Sequence, residues 1–363
     1  MLWRSAAAAG LAVAVSPSLP ARAIIATVAA DEGGYAVKLS DDCPLDGRFE
    51  IGSMTKTMTG TVLASLVNDG TVAFGDTIGR WLDAGQNSDV TLLQLATHTS
   101  GLPRLAPGHI AGAADPYAFL TAEAAQHELR LTPRKPRGVE WDYSTFGFQV
   151  LSLALERATG TVFGLLLERR VFRPLGMACS GVAGRGGGSR VLGHSRGRPV
   201  APWTHHLWGA GGVTASAEDM ARYLSASLTP PDSRVGRAIR LAQQPHHPID
   251  QLRSAGLGWA LGPPGFLGHD GGTSGFRAML GLRPPARRGA AVFVNDRAAT
   301  GLAQAVGRLL DRDAGHGAGL LSRPSVARGR ATEPGHGPPG QCVRSAASRA
   351  IPPAQSESCA SGR

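Results

Sequence analysis

The amino-acid sequence predicts an α+β fold: one antiparallel sheet built from both ends of the chain body, flanked by helices, with a helical region inserted in the middle. Three observations predict it. Strand-like apolar runs lie near residues 23–39 and again over 258–295. The stretch between them carries the 3.6-residue periodicity of helices. No regular alternation of strand and helix signals a βαβ repeat.

The elements follow in chain order. Residues 1–23 start with Arg4, run through small apolar residues from Ala6 to Val15, and reach Pro17, Pro20 and Ala21-Arg22-Ala23. That is the order of a secretory signal peptide, the other reading being an N-terminal helix of the domain itself. The first implies a secreted or cell-envelope protein and the second a cytoplasmic one. The apolar run is too short for a permanent membrane span, and no other segment is long and apolar enough. The body occupies 24–314. Ala23 to Ala30 and Tyr35 to Leu39 flank the turn Asp31-Glu32-Gly33-Gly34 and read as a hairpin. From Ser53 to Asn68, Met54, Met58, Val62 and Leu66 form one i, i+4 row with Leu63 and Val67 beside it; Asp69-Gly70 ends the helix. Helices are expected at 91–97, 116–130, 145–159, 161–172, 217–228 and 299–311, most of them inside an insertion of about 75–250. Gly258 to Leu261, Phe276 to Leu282 and Ala290 to Asn295 supply three more strands. From 315 to 363 the chain is Gly, Pro, Ser and Arg with few large apolar residues, and is expected to be a disordered tail.

Composition narrows the function classes. At 363 residues the chain can bury a full core. The formal net charge of +10 invites a nucleic-acid reading, but six Arg against two Glu in 315–363, and two Arg without acids in 1–23, hold more than half of it. The body is only mildly basic and has no interleaving of Arg with aromatic residues, so no nucleic-acid partner is expected. Four cysteines, two of them in the tail, show no metal-ligand spacing; neither a metal nor a stable disulfide framework is predicted. No P-loop or dinucleotide fingerprint occurs, and no cofactor is expected. Of 37 basic residues only Lys38, Lys56 and Lys135 are lysines, which singles each of them out.

Lys56 closes the sequence Ser53-Met54-Thr55-Lys56 at the head of the first long helix. Three residues is close to one helical turn, so hydroxyl and amine share a face and the amine can take the Ser proton during attack on a carbonyl. Arg could not do this, whereas a buried Lys can. The helix N-terminus also offers the Ser53 N–H to a developing oxyanion. A Ser at a helix start is otherwise explained as a cap. Tyr143, in Asp142-Tyr143-Ser144-Thr145, is the candidate second proton carrier, since a phenol beside an ammonium shares its proton; the plain alternative is a buried, hydrogen-bonded Tyr. The Gly-rich segment Gly268-His269-Asp270-Gly271-Gly272-Thr273 permits close backbone approach of a substrate, with amides that complete an oxyanion hole. His269 could donate a hydrogen bond to a substrate carboxylate or to the Tyr143 oxygen.

Together these segments resemble the β-lactamase-related serine hydrolases: class C β-lactamases, D-alanyl-D-alanine carboxypeptidases and esterases of the penicillin-binding-protein fold. The resemblance runs in order through Phe49 to Thr57, Leu95-Ala96-Thr97-His98-Thr99-Ser100-Gly101-Leu102-Pro103, Tyr143-Ser144-Thr145, Pro174 to Met177, Gly209 to Gly212 and His269 to Thr273. It implies a β-lactamase/transpeptidase-like fold in which Ser53 is acylated, Lys56 is its proton partner, and Tyr143 is general base for acylation and then activates the hydrolytic water. By the same resemblance, Gly272 gives the second oxyanion N–H beside that of Ser53. Gly271 and His269 belong to the Lys/His-x-Gly strand motif, and Thr145 replaces the Asn of a Tyr-x-Asn motif. A Thr hydroxyl is shorter than an amide and cannot present its donor and acceptor together. His98 reads as a structural loop residue. The implied partner is a small molecule or peptide, peptidoglycan-derived peptides included.

Two alternatives stand beside this reading. Gly193-His194-Ser195-Arg196-Gly197 fits the G-x-S-x-G nucleophile elbow of an α/β-hydrolase, although Pro199 and Pro202 oppose the helix it needs. A non-catalytic binder of cell-wall peptides or penicillin is the other, with Thr145 its support. His205-His206 and His246-His247 lack metal-ligand spacing and read as surface or loop residues.

Overall fold

The computed structural model describes residues 25–311, apart from 32, 111–114, 134–137, 139, 183–185 and 205–207. The readings made for 1–23, for the tail and for His205-His206 lie outside the described residues.

In chain order the elements are β1 (Ile25–Asp31), β2 (Gly34–Leu39), β3 (Arg48–Glu50), α1 (Thr55–Asn68), α2 (Leu92–Ala96), α3 (Ala122–Leu131), α4 (Thr145–Thr159) and α5 (Phe163–Leu167). Then come β4 (Gly181–Val182), β5 (Gly193–Ser195), β6 (Arg198–Val200), β7 (Val213–Ser216), α6 (Ala217–Leu228) and α7 (Arg234–Ala242). The chain closes with β8 (His247–Pro248), β9 (Ser254–Ala255), β10 (Ala260–Gly262), β11 (Phe266–Gly272), β12 (Arg277–Arg283), β13 (Arg288–Val294) and α8 (Leu302–Asp311).

The main sheet has eight strands in the order β2-β1-β13-β12-β11-β10-β9-β8. Every pairing in it is antiparallel, and β1 lies directly against β13 with Ile25 opposite Val294. The two ends of the body therefore meet in one sheet, as the α+β reading expects. β13 is apolar almost throughout because both its faces are covered: Ala290, Val292 and Val294 pack with Leu302, Val306 and Leu310 of α8, while Ala291 and Phe293 belong to the larger core on the other side. A strand order of β3-β7-β4 makes a second small sheet, and β5 and β6 form a separate hairpin.

α1 departs from the amphipathic helix its apolar row implies, since every residue from Thr55 to Leu66 is buried. Its threonines make this tolerable by bonding their hydroxyls to carbonyls. Thr59 Oγ1 donates to Gly209 O at 2.6 Å, and Thr61 Oγ1 to Thr57 O at 2.9 Å. The helix is a central post packed against α7, α4, α5 and the Trp208–Ala210 turn, while α6 lies on the sheet. α4 and α6 have the bounds expected from sequence, each held by a Ser at its N-cap: Ser144 Oγ accepts from Gly147 N and Ser216 Oγ from Asp219 N. The helix expected over 116–130 starts later, where Thr121 caps it. The stretch 161–172 divides into α5 and a π-helical turn, Glu168–Phe172. Sequence reasoning did not find α7, although Val235, Ala238, Ile239 and Ala242 bury one face of it.

Among the described residues no single helix is long and apolar enough to cross a membrane; one pair bent by 84°, Thr145–Thr159 with Phe163–Phe172, passes on length and composition. Its first member is mostly buried in the core. Cys179 is disulfide-bonded, a pairing that spacing alone does not choose.

Candidate active site

Ser53 sits in a short 3-10 turn, Gly52–Met54, that leads directly into α1. Its hydroxyl caps neither element, which removes the plain explanation for a Ser at this position. The hydroxyl instead accepts from Lys56 Nζ at 3.0 Å. Lys56 is fully buried, and a second bond from its Nζ to Ala210 O at 2.6 Å fixes the amine. Aromatic faces complete its surroundings, with the Tyr143 ring centre at 5.1 Å and that of Phe148 at 5.6 Å.

The Gly-rich segment lies on the strand β11, as the strand motif implies, and packs against the Ser53 turn. Gly52 has φ +52°, and a Cβ there would lie 2.5 Å from Gly272 N; a Cβ on Gly271 would lie 2.0 Å from Ile51 O. Only glycines let these two backbones touch. The contact places the Gly272 amide beside the Gly52–Ser53 peptide, the arrangement a two-amide oxyanion site requires.

Tyr143 is half-buried just before α4. His98, which the sequence presents as a loop residue, is what holds it. Asp142 N donates to His98 O at 2.8 Å and Ser144 N donates to His98 Nδ1 at 3.0 Å, so one residue grips the chain on both sides of Tyr143. The rings of His98 and Tyr143 are tilted by 31° with centres 4.5 Å apart. His98 does this with φ +62°, a strained setting for a residue with a Cβ. Burial first and the Lys56 charge second push its pKa well below the usual range, so the ring is neutral and Nδ1 is free to accept.

His269, on β11, has its ring 6.1 Å from that of Tyr143. Burial, then the charge on Lys56, lowers its pKa to about 4. Its Nδ1 is 2.5 Å from Asp270 O, and because a carbonyl only accepts, the proton of the neutral ring resides on Nδ1. The bare Nε2 then accepts hydrogen bonds. This differs from the donor expected of His269. Thr145 is the first residue of α4, two places beyond Tyr143, and its N–H donates to Arg104 O at 2.8 Å. The Arg104 guanidinium lies 4.9 Å from the Tyr143 ring centre. At the rim, Trp203 N donates to Glu50 Oε1 and Trp203 Nε1 to Ser274 Oγ.

Ser53, Lys56, Tyr143, His269, Gly271 and Gly272 are thus brought to one place by α1, the segment before α4, and β11. His98, Arg104 and the Ala210 carbonyl join them; sequence reasoning gave His98 a structural role in a loop and the other two none. A signal existed for two: His98 and Ala210 fall within segments that carry the resemblance, whereas nothing marks Arg104 among 34 arginines. Ser195 is elsewhere. It ends β5 of a hairpin whose turn residues Arg196 and Gly197 have φ +53° and +76°, and β6 follows where an elbow needs a helix. The α/β-hydrolase alternative is overturned. Among the described residues no group of three or more His, Cys, Asp or Glu is placed to hold a metal ion.

Comparison with known proteins gives a consistent picture. The beta-lactamase family profile matches residues 7–313. The chain is 30% identical over 277 residues to a D-alanyl-D-alanine-carboxypeptidase/endopeptidase, AmpH, of Escherichia coli K12, covering 69% of this chain and 71% of that protein. It is 28% identical to a beta-lactamase of the same organism, over 59% of this chain and 57% of the other. With the putative penicillin-binding protein PbpX of Bacillus subtilis it shares 26% identity, over 50% of this chain and 46% of that one.

Proposed function

The chain belongs to the beta-lactamase family, and on that premise we propose that it is a serine hydrolase that cleaves an ester or amide through an acyl-enzyme on Ser53. The observation that carries the reading is the buried Lys56 amine 3.0 Å from the Ser53 hydroxyl.

Ser53 Oγ attacks the carbonyl carbon while its proton passes to the Lys56–Tyr143 pair. The carbonyl π electrons move onto oxygen, beside the amides of Ser53 and Gly272. When the tetrahedral species collapses, the bond to the leaving group breaks and the stored proton goes to that group. Water repeats the sequence with Tyr143 as its base, and the acid product leaves Ser53 with its proton restored. His269 Nε2, as an acceptor, orients the phenol rather than the substrate.

A D-alanyl peptide, peptidoglycan-derived, is the favoured substrate. A relative carries that activity in its name. A secreted or cell-envelope location accords with such a substrate. The test is hydrolysis of a p-nitrophenyl ester by the full chain and by Ser53→Ala and Lys56→Arg. Turnover is expected in the first and a loss of about 10³-fold or more in both variants, since the triad-like groups act as a unit. Undiminished turnover by Ser53→Ala overturns the proposal. Penicillin binding without turnover or adduct favours the non-catalytic binder.

A further inference from the structure

A cleft of about 920 Å³ opens next to the site, and four arginines, Arg196, Arg198, Arg277 and Arg297, line it together with Ser195 and Thr300. Its walls come from three distant parts of the chain, each tied to the reacting strand. Arg277 stands opposite Gly272 in the β11–β12 register, and a Cβ on Gly272 would lie 2.9 Å from its Nη1. Arg297 Nη1 donates to Thr273 O at 2.8 Å, and Arg277 Nε to Arg297 O at 3.1 Å. The β5–β6 hairpin is anchored from both sides. His194 N donates to Gly275 O, and the buried carboxylate of Asp296 accepts from the main-chain N–H groups of Arg196 and Gly197.

The charge is unbalanced. Asp296 is consumed by main-chain donors, Ala298 N being its third, and among the described residues none of the four guanidiniums forms an ion pair. Two of them are held in place by carbonyls, which fix their direction without neutralising them. Two preoriented forks with two further guanidiniums beside them suit an oxyanion of more than one charge better than a single carboxylate.

We propose that these arginines form a recognition subsite for a multiply charged oxyanion, paired carboxylates or a phosphate, carried on the non-reacting part of the acyl compound whose carbonyl meets Ser53. The cleft adjoins Gly272 and Thr273 at the end of β11, reached from the α8 side of the sheet, on which Arg277 lies in register with Val294. The inference rests on the hydrolase reading for its link to turnover, though not for the binding itself.

Two measurements separate the claims. In the first, citrate and inorganic pyrophosphate are titrated calorimetrically into the full chain carrying Ser53→Ala, and into the same chain with Arg196→Gln and Arg198→Gln added. The subsite predicts binding that weakens about tenfold or more in the triple variant and falls with added salt; citrate binding alone identifies carboxylates as the anion, pyrophosphate alone a phosphate. The second compares two p-nitrophenyl esters, one with an amide-ended and one with a dicarboxylate-ended acyl chain. The kcat/KM ratio of anionic to neutral ester is expected to exceed one in the native chain and to drop about tenfold in Arg196→Gln/Arg198→Gln. No binding of either anion, with a ratio near one, overturns the proposal. Anion binding that depends on the arginines in a chain that turns over no ester supports the subsite while the hydrolase reading fails.

Discussion

The residue that decides most about this site is one whose sequence context hides its role. His98 donates nothing to Tyr143 directly. It fixes the two peptides on either side and lays its ring against the phenol. A shift of about 1 Å in a proton carrier costs on the order of 10²-fold in rate. His98→Ala is therefore expected to lower kcat by about that factor while leaving KM for a small ester much less affected. Asn tolerates positive φ and offers a side-chain acceptor, so His98→Asn should recover part of the loss. Steady-state kinetics of the two variants checks this, and equal activity in all three chains would remove His98 from any positioning role. Lys56 shows the opposite relation between sequence and structure. Its scarcity among basic residues and its place one turn past a Ser made it legible, and its burial against Ala210 O is what the chemistry needs.

Among elements, the strands and helices with a clean period were readable. α4 and α6 have apolar faces, Ser caps and clear stops, and their bounds match the expectation. β11 was not readable as a strand from periodicity, because its three glycines leave little side-chain alternation to see, and only the Lys/His-x-Gly motif of the resemblance pointed to one. Gly271 is there to let backbone meet backbone. The arginine cleft was invisible for a different reason: its walls lie some hundred residues apart and are joined by tertiary bonds to Gly275, Asn295, Asp296 and Arg297. The same backbone-to-backbone principle applies to α1. A Cβ at Gly60 would lie 1.9 Å from Leu257 O, so the helix and the segment before β10 are in contact with no room between. Gly60→Ala is expected to destabilise the protein by about 3 kcal/mol, read as a fall in the denaturant midpoint at unchanged slope. An unchanged midpoint would mean that this contact does not hold the helix.

At the scale of the whole molecule, the sheet joins the first and last strands of the body, and the Gly52–Met54 turn at the head of α1 meets it on β11. The cost of that design is a cluster of buried ionisable groups. His98 is held well below its ordinary pKa and His269 at about 4, in both cases by burial and then by Lys56. Their unfolded counterparts take up protons near pH 6.5. Between that value and the folded pKa the unfolded state binds more protons, so the two rings contribute stability that is complete above about pH 6.5 and lost as pH falls toward 4. Asp219, raised to about 6 chiefly by burial, works in the opposite sense over part of the range. Glu156, also raised by burial, joins Asp219 in that sense. The two histidines are displaced further, and Tm is expected to decline between pH 7 and 4.5. His98→Asn should flatten that decline, and an identical slope in both chains would contradict the assignment.

The central claim is that Ser53 carries the acyl group, and covalent labelling tests it most directly. The full chain is treated with a fluorophosphonate or a fluorescent penicillin, digested, and the modified peptide identified by mass spectrometry. The account predicts label on the peptide containing Ser53, and none in Lys56→Arg, where the charge persists without a base. Label on the peptide containing Ser195, or an equally labelled Lys56→Arg chain, would contradict it.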